Sequence, residues 1–234
     1  MPDLGCRTGD FFFLEQPDAF AQQRLVVDLV SRRLPKSYGY DPLRDIQVIT
    51  PAKQGPLGTR ELNRLLQGKL NPPERGKGEA TLMGRTLREG DKVMQIRNNY
   101  DIIWQQPDGT AGTGIFNGDM GIIEMLDPGS KTIQVRFEEK LATYSFENQD
   151  QLEHAYAVTV HKSQGSEFEA VVMPLERRHP KLHYRNLLYT AVTRARKLLI
   201  MTGQKETVYA MVQNNRRTLR YTNQKEMLQE MCDE

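Results

Sequence analysis

This chain is poor in the features that usually classify a protein at once, and the gaps narrow its class. Its 234 residues hold only two cysteines, Cys6 and Cys232, near opposite ends. Two distant thiols build no disulfide framework and suit a reducing cytoplasm. No apolar run approaches the roughly 18 residues of a membrane-spanning helix, and the N-terminus has no signal-peptide pattern, so a cytoplasmic protein with no membrane partner is expected. Neither sign of charge is in excess: 32 Lys plus Arg against 30 Asp plus Glu leave a formal +2. Such a balance neither demands nor excludes nucleic acid, because a local groove can be basic while the whole is not. No GxxxxGK[ST] occurs, and the GKG at Gly76–Gly78 lacks the Ser or Thr and lies in a Pro/Gly-rich loop. No apolar strand ends in paired acidic residues either. A phosphate cradle and a magnesium holder both depend on those elements. His179 and His183 have an H-x₃-H spacing without a cysteine pair, so no metal site is expected.

What is present is an alternation of strand and helix. FFFLE, Phe11–Glu15, is a short buried-strand candidate stopped by Pro17. Asp18 can cap a helix to about Leu34, with Leu25, Val26, Leu29, Val30 and Leu34 on one face. IQVIT, Ile46–Thr50, is β-branched and apolar, as central parallel strands are. After the loop PAKQGPLG, Thr59 is placed to cap a helix with Leu62, Leu65, Leu66 and Leu70 inward, ended by NPPERGKGE. Strand, loop and helix in alternation are the α/β pattern.

The texture changes near residue 85. From Arg85 to about Asn148 the apolar runs are short and alternate, with turn signals at PDGT, NGD and DPGS. No helical period runs through them, and a small antiparallel barrel is expected. The strand–helix alternation then resumes at His154, so the barrel is inserted into the α/β unit, whose two halves should meet without it. The expected organisation is a first α/β segment (1–84), the barrel (85–148), a second α/β segment (149–214) and a charged tail (215–234).

The richest stretch is HAYAVTVHKSQGSEFEAVV, His154–Val172, followed by YRNLLYTAVTRARKLLIMTG, Tyr184–Gly203. The first reads as a strand, Ala155–Val160, a polar loop, His161–Glu167, and a second strand from Ala170. Loops at strand ends are where open α/β sheets place ligands. The second reads as a helix that carries Arg194 and Arg196 just before another apolar strand. On one helix those arginines would face about 160° apart. Gly165 permits a tight loop or a close backbone approach. Thr159, His161 and Ser163 offer small polar groups suited to DNA phosphates, although Thr159 also fits a β-branched core position and His161 a plain surface loop. Lys53, at a strand end, suits a phosphate or solvent. In the barrel, Asn98, Asn99, Tyr100 and Trp104 lie near Arg97, a grouping that can stack on unpaired bases; Trp104 fits the barrel core equally well.

These two stretches, in this order, resemble motifs V and VI of superfamily 1 helicases of the RecD-like branch. DIQVITPAKQGPLGTRELNRLLQGKLNPP, Asp45–Pro73, resembles the family's motif IV region, and GDKVMQIRNNYD with IFNGDMGII resembles its inserted Src-homology-3-type barrel. The resemblance implies a RecA-like parallel sheet with helices on both faces, interrupted by that barrel. It also implies an ATP-dependent 5′-to-3′ DNA helicase whose nucleotide lies between two such lobes, with single-stranded DNA across both. Arg194 matches the family's arginine finger and Glu167 its acidic residue near the ribose or the finger. Gly165 and Lys53 fall at the nucleotide, and Thr159, His161, Ser163, Asn99 and Tyr100 on the DNA track. ATP and Mg²⁺ are the implied cofactors, the metal ligands being expected on the other lobe. The implied partners are single-stranded DNA, that first lobe and subunits of a nuclease complex. With no phosphate loop, the chain is expected to be the C-terminal lobe of a longer helicase and inactive alone. The alternative is a RecA-like nucleic-acid-binding or protein-docking module without chemistry.

Overall fold

The computed structural model describes Leu4, residues 9–177 and residues 182–215. Cys6, Cys232, His179 and the expected tail beyond Asn215 lie outside the described residues. The strands of the α/β unit are β1 (Phe11–Glu15), β2 (Ile46–Thr50), β12 (Ala157–Thr159), β13 (Phe168–Pro174) and β14 (Ala195–Gly203). Its helices are α1 (Ala19–Asp28), α2 (Leu34–Tyr38), α3 (Thr59–Leu70), α4 (Arg185–Val192) and α5 (Lys205–Gln213). Between β2 and β12 the chain forms β3 (Glu79–Leu82), β4 (Arg85–Arg88), β5 (Lys92–Gln95), β6 (Asn99–Gln105), β7 (Ala111–Ile115), β8 (Met120–Asp127), β9 (Thr132–Phe137), β10 (Lys140–Ser145) and β11 (Leu152–His154).

The five α/β strands make one wholly parallel sheet in the order β1-β14-β13-β2-β12. Successive side chains on a strand point to opposite faces. Ala170 and Val172 accordingly join a core with Val26, Leu29 and Leu34 before and within α2 and with Leu62 and Leu66 of α3. Val171 and Met173 join a second core with Leu187 and Ala191 of α4 and Val208 and Met211 of α5. Both faces are therefore covered, which is why the strands are largely apolar at their centres.

Three helix expectations need correction. The first helix does not stop at Leu34: a π-helical turn, Leu29–Arg33, carries it into α2, which ends at left-handed Gly39. The widened turn precedes Pro35, which has no N–H for the turn before it. Asp18 does cap α1, accepting from the Ala21 amide at 2.6 Å. Thr59 does not cap α3; Gly58 holds that position, where a Cβ would meet the Gln54 backbone at 2.5 Å. Leu65, expected inward, lines an outer groove instead.

The intervening segment forms a seven-stranded antiparallel sheet, β11-β5-β8-β9-β10-β6-β7, and a β3–β4 hairpin. Residues from β4 to β11 bury one shared core, with Val93, Ile115, Ile133, Val135 and Tyr144 at its centre. A sheet that buries its own strands against each other must curl, as a small barrel does. The sheet continues past residue 148, since β11 pairs with β5 through His154. Trp104 belongs to this core. It packs at the core's border, closely enough to Gly112 that a Cβ there would lie 2.4 Å from the indole, and Lys140 sits 4.8 Å over its ring.

The barrel does not hang free of the parallel sheet. Fully buried Asp91 accepts from Asn71 Nδ2 at 2.6 Å, Gln67 Nε2 at 2.7 Å, Tyr156 Oη at 2.8 Å and the Arg88 amide at 2.8 Å, and lies 3.1 Å from His154 Nε2. Burial pushes its carboxyl upward, but the bonds from His154, Asn71 and Arg88 outweigh that and hold it below the ordinary value. Asn63 of α3 pairs the outer edge of β12, accepting from the Ala157 amide and donating to its carbonyl. Met94 of β5 enters the core beside α4 and α5.

Lys92 is buried in the same joint, its ammonium 3.3 Å from the Ile46 carbonyl and 5.9 Å from the Phe168 ring centre. Burial lowers its pKa from 10.5 to about 8, against the pull of Asp41 and Asp45. A base depressed in the folded state costs stability below about 8, where both states hold the proton. That cost is relieved as pH climbs toward 10.5, because the unfolded chain then keeps a proton the folded chain has lost. Lys92→Met is expected to add about 1–3 kcal/mol at neutral pH and to flatten the rise of stability over that window. Denaturation midpoints measured across pH test it, and an unchanged slope would place its source elsewhere.

Candidate nucleotide and nucleic-acid site

The candidate residues fall into two groups at opposite edges of the parallel sheet. At the carboxyl edge, β2 ends at Thr50 and β12 at Thr159. The Thr50 hydroxyl donates to the Leu57 carbonyl at 2.6 Å and closes the loop that carries Lys53. Thr159 is buried, and its carbonyl accepts from the Lys162 and Ser163 amides at 3.0 and 3.1 Å. Ser163 is fully buried and donates its hydroxyl to the Val160 carbonyl at 2.8 Å. Thr159 and Ser163 therefore fold the turn, while His161 and Lys53 are exposed. Lys162 pairs with Glu153 at 2.5 Å. Burial raises the Glu153 carboxyl, but Lys162, then Lys53 and Arg85, bring it below its ordinary value. Lys53 thus shares its surroundings with the DNA candidates and not with Arg194.

From His161 the loop crosses to the amino edge, where β13 begins. Gly165 is exposed with φ +87°, a left-handed conformation that side chains disfavour, and no atom lies within 4 Å of where its Cβ would be. The space over it is open. Helix α4 stops at Val192, with Thr193 its C-cap, so Arg194 sits in the turn before β14. Its carbonyl accepts from the Phe168 amide at 2.8 Å. Its guanidinium donates to the Ser166 carbonyl at 3.0 Å, the Thr190 carbonyl at 3.2 Å and the Thr193 hydroxyl at 3.2 Å. The side chain is half-buried, and no carboxylate pairs with it among the described residues.

Arg196 is not on the helix. It lies in β14, is exposed, and pairs with Glu167 at 3.0 Å and more loosely with Glu169 at 3.9 Å. Glu167 accordingly pairs with Arg196, not with Arg194. The two edges are separated by the length of β2, five residues or roughly 15 Å.

In the barrel, Asn99 donates its amide to Gln151 at 2.9 Å and accepts from the Asp101 amide, so its side chain is engaged locally. Tyr100 is 65% exposed and meets Phe116 edge-on at 5.6 Å, an aromatic pair facing solvent. Trp104 is packed against Gly112 and has the Lys140 ammonium 4.8 Å from its ring centre, contacts a stacked base would have to displace. Asp91 and Lys92 escaped sequence reasoning: GDKV reads as a turn followed by a strand edge. Among the described residues no group of His, Cys, Asp and Glu is placed to hold a metal ion, and no helix is long and apolar enough to cross a membrane.

Two family models match the chain. Residues 62–137 match the SH3 domain of ATP-dependent RecD-like DNA helicases, and residues 154–202 match the UvrD-like helicase C-terminal domain. The chain is 35% identical over 158 residues to the ATP-dependent RecD2 DNA helicase of Deinococcus radiodurans, covering 68% of this chain and 20% of that protein. It is 26% identical over 172 residues to the RecBCD enzyme subunit RecD of Buchnera aphidicola, covering 72% of this chain and 26% of that subunit. A solved structure of a Pif1 helicase from Bacteroides, in complex with ADP-AlF3 and ssDNA, superposes with a TM-score of 0.46 at 16% identity, over 91% of this chain and 50% of that one. The chain spans 20% and 26% of the length of these two curated relatives.

Proposed function

We propose that this chain, which carries the SH3 domain of RecD-like DNA helicases and a UvrD-like helicase C-terminal domain, is the second motor lobe of an ATP-dependent DNA helicase of 5′-to-3′ polarity. The observation that carries the reading is the state of Arg194. Among the described residues its permanent charge meets two carbonyls and a hydroxyl and no carboxylate, in the turn where motif VI begins β14. Exchanging those neutral acceptors for phosphate oxygens would gain charge-assisted bonds. An arginine delivered across a closing cleft in this way stabilises the transferring phosphoryl group.

Around it, Gly165 leaves room for a close approach, and Glu167, 51% exposed, is available to a ribose hydroxyl. ATP with Mg²⁺ supplies the phosphoryl group that is transferred, and the metal ligands belong to the first lobe. At the carboxyl edge, His161 and Lys53 are the exposed contacts for DNA phosphates. Thr159 and Ser163 hold the turn that presents them, and Tyr100 extends the track onto the barrel, with Asn99 bracing its strand. The partners are single-stranded DNA, the first motor lobe of the same protein and subunits of a nuclease complex in the cytoplasm; one relative is itself named as a subunit of the RecBCD enzyme.

The purified chain is expected to hydrolyse no ATP above background. It should bind single-stranded DNA weakly, without sequence preference, and less so as salt rises, because phosphate contacts carry no base code and release counterions. Turnover assays and salt titrations of a labelled oligonucleotide check this. Metal-dependent turnover by the chain alone would overturn the division of labour between lobes. Salt-insensitive, sequence-selective binding would favour a specific binding module over a motor.

A further inference from the structure

The outer face of α1 and α3, on the far side of these helices from the sheet, carries a groove of about 570 Å³ that none of the roles above uses. A second hollow of about 390 Å³ adjoins it, the two sharing Phe20 and Gln23. Phe20, in the first turn of α1, is 59% exposed, a large apolar side chain left on the outer face of the helix. Val27, seven residues along, lies two turns further on the same face, and Leu65 of α3 stands opposite. The three form an apolar strip along the junction of the two helices.

The rim is basic. Arg24 and Lys69 border the larger hollow and Arg60 the smaller, and none of the three makes an ion pair among the described residues. The two acids at the rim are already neutralised. Asp28 is held by Arg32 at 2.6 Å and Arg33 at 2.5 Å, the π turn bringing the second arginine, five residues on, back over the same carboxylate. Glu61 is held by Arg64 at 2.6 Å. The hydrogen bonds from Arg32 and Arg33 keep the Asp28 carboxyl down at about 2, so it stays ionised and paired throughout the physiological range.

We infer that this groove is a docking site for a short acidic peptide segment of a partner protein, one that carries an aromatic or branched aliphatic side chain. The apolar strip takes that side chain beside Phe20, and Arg24, Arg60 and Lys69 meet the flanking carboxylates. Nucleic acid fits less well, because a phosphate track has no use for the aliphatic floor of Val27 and Leu65. The larger hollow lies away from Arg194 and from the carboxyl-edge loop, while the smaller is lined by Gln54, Gly55 and Pro56 of the loop that carries Lys53, so competition with an oligonucleotide separates a peptide site from an extension of the DNA track.

The test uses this chain and a fluorescein-labelled synthetic peptide of aspartate and glutamate with one phenylalanine and one leucine, read by fluorescence anisotropy. Controls are the same peptide with both apolar residues changed to serine and one with lysine in place of the acids. The acidic apolar peptide should bind and both controls should not. Phe20→Ser should weaken binding by about tenfold or more, as loss of a central aromatic anchor does. Arg24→Glu with Lys69→Glu should weaken it and reduce its dependence on salt. All three residues are at the surface, so the variants should fold, and unchanged circular dichroism and thermal midpoints would establish that. No binding of the acidic peptide, or equal binding by Phe20→Ser, would overturn the proposal. So would displacement of the peptide by a single-stranded oligonucleotide at equal affinity, which would make the groove a nucleic-acid surface.

Discussion

Arg194→Lys is expected to lower ATP turnover about 10³-fold or more in the complete helicase proposed above, while nucleotide binding stays largely intact. The guanidinium presents several donors in a fixed fork, and in this turn three acceptors hold it ready: the Ser166 and Thr190 carbonyls and the Thr193 hydroxyl. A lysine keeps the charge but concentrates it at one point, so it cannot hold two phosphate oxygens in a plane. It also loses the bonds that position the side chain between β13 and the end of α4. Single-turnover hydrolysis, compared with equilibrium binding of a labelled nucleotide, separates the two effects. Turnover within about threefold of the native enzyme would mean that another residue supplies the charge. Arg196→Lys is the internal comparison. Its guanidinium is bound to Glu167 at 3.0 Å on an exposed surface, and the substitution should change turnover far less.

Asp91→Ala is expected to cost about 3–5 kcal/mol of folding stability. One carboxylate accepts from α3 through Gln67 and Asn71, from the approach to β12 through Tyr156, and from the barrel's own Arg88 amide, and His154 stands beside it. Removing it leaves several buried donors without their acceptor. Asp91→Asn keeps the volume but turns a donor toward donors, so it should recover only part of the loss. Chemical denaturation monitored by circular dichroism reads both variants. A loss below about 1 kcal/mol for alanine would show that the network relaxes onto other acceptors. Total stability of a domain is only about 5–15 kcal/mol, so the alanine variant should also expose the joint to proteolysis at physiological temperature.

Asp91 also shows what was and was not legible in the sequence. Phe11–Glu15 and Ile46–Thr50 are legible as strands at the bounds they occupy, because strands covered on both faces, fully at Ile46–Thr50 and partly at Phe11–Leu14, read as mostly apolar runs. The change of texture near residue 85 announced the antiparallel segment for the converse reason: a sheet with one wet face alternates. A removable insert does not follow from that pattern. Lys92 and Met94 lie in β5 and Asp91 just before it, and each reaches into the parallel-sheet unit, by a bond to Ile46, by packing in the α4–α5 core and by the carboxylate network. Sequence alternation reports which face of a strand is wet or dry. It does not report which other unit provides the dryness.

The candidate site divides along the same line. Gly165, the TRAR segment and the polar loop between two strands were visible locally, since backbone permissiveness and the order strand, loop, strand are properties of neighbouring residues. The tertiary structure alone decided that Arg196 leaves the helix and takes Glu167, that Ser163 turns inward, and that Lys53 stands with His161 at the edge opposite Arg194. Parallel pairing decides which loops share an edge, and it joins β2 to both β12 and β13, segments more than a hundred residues away. The types of chemistry available were written in local residue order. Their grouping into a charged amino edge and a polar carboxyl edge came from long-range strand register, because only the folded sheet brings those ends together.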